Sequence, residues 1–243
     1  MRSLLVSIAA LAFPSCVQDI SGTGTGDQGS GSNTGSDMGS ATGTGATASM
    51  SAAVDQSTVS TELGKTVKLT YTFTSQNGFT GSLALTPTPI TGWKFTANPA
   101  TVTLAANGTA TAELDVMVPT DAIELAPSIA LGVNDGTNST SVDSAFTVAK
   151  QLTVALDAVG SAMGTHVNWP AKNAPYKIRS GTIVIFHNSD TVAHEIHAGG
   201  GIQHEIGALA AGADYKTAPV TSDATWYCHI HEAGADSRGV TVE

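Results

Sequence analysis

Thr66-Val67-Lys68-Leu69-Thr70-Tyr71-Thr72-Phe73 decides the fold class. Val67, Leu69, Tyr71 and Phe73 alternate with Thr66, Lys68, Thr70 and Thr72. A period of two turns one apolar face of a β-strand toward a core and leaves the other face polar. Ala110, Ala112, Leu114, Val116 and Val118 repeat the pattern, and Val142, Phe146 and Val148 mark a further strand. Between them stand Asn77-Gly78, Asn98-Pro99, Asn107-Gly108, Val118-Pro119 and Asn134-Asp135-Gly136, all turn formers. Short strands separated by such turns predict a β-sandwich over residues 50–149.

The alternation resumes downstream. Leu152, Val154 and Leu156 open a second all-β unit over residues 150–243, with a boundary expected at Lys150-Gln151. Ile183 and Ile185, with Val184 and Phe186 on the other face, read as a central strand. Ala224 to Ile230 is another, and Gly239 to Glu243 closes the chain.

Composition bounds the function. The 243 residues suffice for one large or two small domains, and 41% are hydrophobic, so a core can form. Only 12% are charged, and the net charge is −10. No basic cluster exists, which argues against nucleic-acid binding. The acidity favours solubility and basic partners. No apolar run approaches the roughly 20 residues that a membrane helix needs.

The N-terminus has its own chemistry. Met1-Arg2 is positive and Leu4 to Phe13 is apolar, the form of a secretory signal. Phe13-Pro14-Ser15-Cys16 follows and resembles the lipobox of bacterial lipoproteins, with Phe13 and Pro14 departing from the usual pattern. The resemblance implies a signal over residues 1–16, acylation of Cys16 and a membrane anchor. The protein is then expected in the periplasm or at the cell surface. Residues 17–49 are almost wholly Gly, Ser, Thr and Ala, too polar to offset their ordering entropy. They read as a flexible tether, with a reach of about 5–6 Å times the square root of its length.

Cys228-His229-Ile230-His231 carries the chemistry. Cys16 and Cys228 are the two cysteines, and all seven histidines lie in the last third of the chain. An unpaired cysteine in an exported protein calls for an explanation, and metal ligation supplies one. A thiolate with two imidazoles is the donor set of a blue-copper electron-transfer site. Along Thr225-Trp226-Tyr227-Cys228-His229-Ile230, alternation places Trp226 and Cys228 on one face and Tyr227 and His229 on the other. His231, just past the strand, can swing back over the sulfur on a turn. Cys228 and His231 are therefore the expected ligands, and His229 is not. A third ligand should come from another strand end, such as Val184 to Asp190 with His194-Glu195-Ile196-His197 after it.

The run Phe186-x-Asn188-x-Asp190-x-x-x-His194, followed by Tyr227-Cys228-x-x-His231, resembles the cupredoxin family of the plastocyanin and pseudoazurin type. The resemblance covers about residues 150–243. It implies a Greek-key β-sandwich that holds one copper ion, cycling between Cu(I) and Cu(II), through His194, Cys228 and His231. It also implies single-electron exchange with a redox partner protein, with no enzymatic role and no small-molecule substrate. Relatives usually carry an axial Met about five residues after the second His. Here that position is Asp236, and no Met follows Met163. The axial place is left to a backbone oxygen, to Asp236, Glu232 or Gln203, or to nothing. Glu195 follows the first ligand and is expected to hydrogen-bond across to the Cys loop, with Thr225 or Thr221. The stretch from Asn98-Pro99 through Val102 and Leu104 to Val116–Pro119 resembles the Ig-like repeats of bacterial surface proteins. That implies a spacer or adhesion module over residues 50–149.

Other readings have less behind them. Taken alone, Cys228 would be an inert buried thiol. His194-Glu195-Ile196-His197 is one residue short of the helical zinc-protease motif, and Gly199-Gly200-Gly201 opposes a long helix. Zinc on His194, Cys228 and His231 is chemically possible, although structural zinc sites more often carry further sulfurs. His187, His197, His204 and His229 read as surface or neighbouring residues, dense enough to allow a second copper site. A copper-delivery module, or an adhesin with a metal-free cupredoxin-like domain, are the alternative functions.

Overall fold

The computed structural model describes residues 18–21, 47–157, 169–170, 174–228 and 238–243. The expected leader over residues 1–16, with Cys16, lies outside the described residues, as do His166, His229, His231, Glu232 and Asp236. Every regular element among the described residues is a β-strand.

The first ten strands are β1 (Gln18–Ser21), β2 (Ser49–Val54), β3 (Thr58–Leu63), β4 (Thr66–Gln76) and β5 (Gly81–Pro87), then β6 (Lys94–Asn98), β7 (Thr101–Leu104), β8 (Thr109–Met117), β9 (Ser128–Asn134) and β10 (Ser139–Leu156). One sheet runs β1-β2-β4-β8-β6. Facing it, β7, β5, β9 and β10 pair in that order, and β3 joins β10. The alternating residues of β4 point between the two layers: Leu69, Tyr71 and Phe73 are fully buried. They pack with Leu114, Val116, Ile129, Leu131 and Phe146 in one cluster. Each such side chain contributes about 1.5–3 kcal/mol relative to exposure. At the Asn77-Gly78 turn both residues have positive φ (52° and 75°), as a type I′ turn requires. Gln18–Ser21, inside the stretch expected as tether, pairs antiparallel with Ser49–Ala52 of β2.

The later strands are β11 (Tyr176–Ile178), β12 (Ile183–Asn188), β13 (His194–Gly200), β14 (Glu205–Leu209), β15 (Asp214–Lys216), β16 (Ala224–Cys228) and β17 (Arg238–Val242). β11-β17-β16-β13-β14 form one sheet, while β12 and β15 continue the sheet that contains β10. The connections β12 to β13, β14 to β15 and β15 to β16 each pass from one sheet to the other. Leu152, Val154, Val184, Phe186, Ile196, Trp226 and Cys228 fill the space between.

The chain is thus all-β, as expected, one β-sandwich followed by a second, and β10 serves both. It pairs with β9 over Ser139–Ala145 and with β12 over Gln151–Leu156. Lys150-Gln151, the expected boundary, lies inside this strand. The two residues interrupt the apolar pattern without ending the strand. Lys150 Nζ donates to the Ser180 carbonyl at 2.7 Å, and Gln151 Nε2 donates to Glu62 Oε2 at 2.8 Å. Across the same junction, Arg179 Nε donates to the Asp121 carbonyl at 3.1 Å.

Candidate metal centre

β13 and β16 are antiparallel neighbours, so the start of one lies beside the end of the other. Ile196 is paired with Cys228 and Ala198 with Trp226. His194 lies two residues before Ile196 and therefore shares the inward face with it. His194 and Cys228 are both fully buried. His194 Nδ1 stands 3.4 Å from Cys228 Sγ. A first-row ion about 2.0–2.1 Å from nitrogen and about 2.3 Å from sulfur, at a tetrahedral angle, separates the two donors by about 3.5 Å. The pair has the spacing of two ligands of one ion.

The turn before β13 sets the ring. Asn188, fully buried at the end of β12, donates through Nδ2 to the carbonyls of Val192 and Leu209, both at 2.8 Å. Its Oδ1 accepts the backbone N–H of Asp190 at 2.9 Å. That closes an Asx turn and presents the Asp190 carboxylate to the ring. Asp190 Oδ2 lies 3.1 Å from His194 Nε2. The backbone N–H of Thr191, and after it the His194 ring, hold the Asp190 carboxyl below the usual carboxylate range. An ionised carboxylate only accepts, so His194 Nε2 donates to Asp190, and Nδ1 is the ring nitrogen turned toward the sulfur. Carboxylate, imidazole and ligand position in a row is the outer arrangement typical of metal-binding histidines. Asp190 is the residue whose role sequence reasoning missed. Its spacing of four before His194 was the available signal.

Aromatic packing fixes the floor of the site. Trp226, two residues before Cys228 on the same face, is fully buried. Phe186 meets it edge-on at 5.3 Å and Trp169 at 6.3 Å. Trp169 Nε1 donates to the Ala155 carbonyl at 3.1 Å. Water has little access to the sulfur from this side.

The other expected residues fall elsewhere. Glu195 lies on the outer face of β13, its Oε1 3.8 Å from His197 Nε2, and the loop after Cys228 that it is expected to reach lies outside the described residues. His187 pairs with Asp214 at 2.6 Å on the outer side of β12. Gln203 accepts from Tyr215 Oη at 3.4 Å. His231 and Asp236 lie outside the described residues, so the structure brings together two of the three expected ligands. Among the described residues, no three His, Cys, Asp or Glu side chains form a ready metal cage.

No protein-family model matches the chain, and no curated protein matches it. Solved structures similar to it include a novel purple cupredoxin from Nitrosopumilus maritimus, 27% identical over 28% of this chain and 75% of that one, at TM-score 0.24. Another is the Pseudomonas aeruginosa CupB2 chaperone, 12% identical, with 76% of this chain and 98% of that one covered, at TM-score 0.30. A third is the S-layer protein SbsC, domains 4 and 5, at 16% identity, 42% and 64% coverage and TM-score 0.27. At such scores these likenesses carry no functional weight.

Proposed function

We propose that residues 150–243 form a type 1 copper domain that passes single electrons between protein partners. The carrying observation is the 3.4 Å approach of His194 Nδ1 to Cys228 Sγ, with Asp190 on the far nitrogen. The donor set suits copper: a soft thiolate and an imidazole in a buried site. Copper bound there supplies a one-electron couple between Cu(I) and Cu(II).

The chain's own residues do the rest. Cys228 ends a strand that pairs with β13 as far as Cys228 itself and with β17 as far as Trp226, so the sulfur sits at the end of a braced strand. His194 is fixed by the Asx turn and oriented by Asp190. A donor set fixed in advance needs little movement when charge changes. His231 supplies the second imidazole in this reading, with Asp236 available for the axial place. Cys16 carries a lipid that anchors the protein to a membrane, with the copper domain in the periplasm or at the cell surface. The Ig-like domain spaces it from that surface.

The test uses the full chain with Cys16→Ser, so that one thiol remains. Copper(II) addition should produce an intense visible thiolate-to-copper absorption that Cys228→Ala removes. No such band, or one that persists in Cys228→Ala, overturns the reading.

A further inference from the structure

We propose that the outer face of β13 and β14 carries a second metal site, separate from the buried pair, in which His197, His204 and Glu195 take a divalent first-row ion, Cu(II) or Zn(II). It does not depend on copper at Cys228.

Alternation puts Glu195 and His197 on the face of β13 opposite His194 and Ile196. β13 and β14 join through a turn over residues 201–204, and the Ala198 N–H donates to the His204 carbonyl at 2.9 Å. That brings His204 beside His197. The two ring centroids lie 5.3 Å apart, with the planes at 62°. Two imidazoles on one tetrahedral ion, with metal–nitrogen bonds of about 2.0–2.1 Å, stand with centroids about 5 Å apart and do not stack. Glu195 Oε1 is 3.8 Å from His197 Nε2. Two donors of one tetrahedral ion are about 3.4 Å apart, a few tenths of an ångström closer.

His197 has its other nitrogen occupied in the way a ligand's should be. Tyr227 Oη lies 3.1 Å from His197 Nδ1, and the rings sit 5.3 Å apart. With a metal on Nε2, Nδ1 bears the proton and donates it to the phenol oxygen, which fixes tautomer and ring plane. As they stand, the three side chains do not form a group that could hold a metal ion, so binding requires them to move together. His204 and the Glu195 side chain are exposed, so both can turn toward an arriving ion. Two imidazoles and a carboxylate with open positions suit Cu(II) or Zn(II) and leave room for water. Nothing in the set favours Cu(I), which prefers sulfur.

Equilibrium dialysis of the full chain carrying Cys16→Ser and Cys228→Ser against Zn(II) and against Cu(II) tests this. One ion per chain should be retained. His204→Ala, at an exposed turn position, and His197→Ala should each weaken retention at least about tenfold, while His187→Ala should not. The Cu(II) form should show nitrogen hyperfine structure in its electron paramagnetic resonance spectrum and no thiolate band. No retained ion, or retention unchanged by both His204→Ala and His197→Ala, overturns the proposal. In chains that keep Cys228, His204→Ala should leave the thiolate band intact. Loss of that band in every chain speaks against the buried copper alone.

Discussion

Asp190 Oδ2 and His194 Nε2 meet at 3.1 Å on the side of the ring away from Cys228. The contact decides which nitrogen faces the sulfur. It joins a turn residue of one sheet to the first residue of a strand in the other.

Removing that carboxylate should weaken metal binding without unfolding the domain. Outer-shell partners of ligating histidines typically account for about 10–100-fold in metal affinity. Asp190→Ala should lower copper affinity by about that factor, measured by competition with a chelator. Asp190→Asn keeps an acceptor oxygen and should lose less. Equal affinity in all three proteins would contradict the role given to Asp190.

Asn188 should matter for stability before it matters for metal. Its side chain satisfies two carbonyls and one N–H in a fully buried position. Buried groups left without partners cost about 1–3 kcal/mol each. Asn188→Ala should destabilise the metal-free protein by about 2–4 kcal/mol in denaturant titration. A change under about 0.5 kcal/mol would mean that the turn is held by other contacts.

Much of this architecture is legible in the residues. Leu69, Tyr71 and Phe73 alternate in sequence and point into one core. Asn188, Asp190, His194 and Cys228 can be picked out by type and spacing. The handover within β10 is not legible, because Lys150 and Gln151 are polar and resemble a linker. Their partners, Ser180 and Glu62, are far away in sequence. The direction of Glu195, outward on β13, follows from simple alternation with His194. The hairpin that brings His204 to His197 depends on a register shift between Glu195 and His197, which no local pattern encodes.

The continuity of β10 has a proteolytic consequence. A flexible linker at Lys150-Gln151 would be an early trypsin site, whereas a residue inside a strand resists cleavage until that strand opens. Limited trypsin digestion of the native protein should leave the Lys150–Gln151 bond intact while exposed loops are cut. Early release of fragments ending at Lys150 would contradict a shared strand.

Tyr71 should set an alkaline limit for the first sandwich. Burial pushes its phenol up to about 12 from the ordinary value of 10.0. The folded state therefore holds its proton more tightly than the unfolded chain. Stability from this group is fully present below about pH 10 and is lost as pH rises through about 12. Thermal melts across that window should show falling stability, and Tyr71→Phe should flatten the fall. An unchanged slope in Tyr71→Phe would assign the loss to other groups.

X-ray absorption at the copper edge, on the copper-loaded full chain with Cys16→Ser, tests the central claim most directly. The account predicts one short sulfur neighbour, at about 2.3 Å or slightly less, together with nitrogen neighbours near 2.0 Å. The sulfur shell should vanish in Cys228→Ser. A spectrum with nitrogen and oxygen neighbours alone in the chain that keeps Cys228 would contradict it.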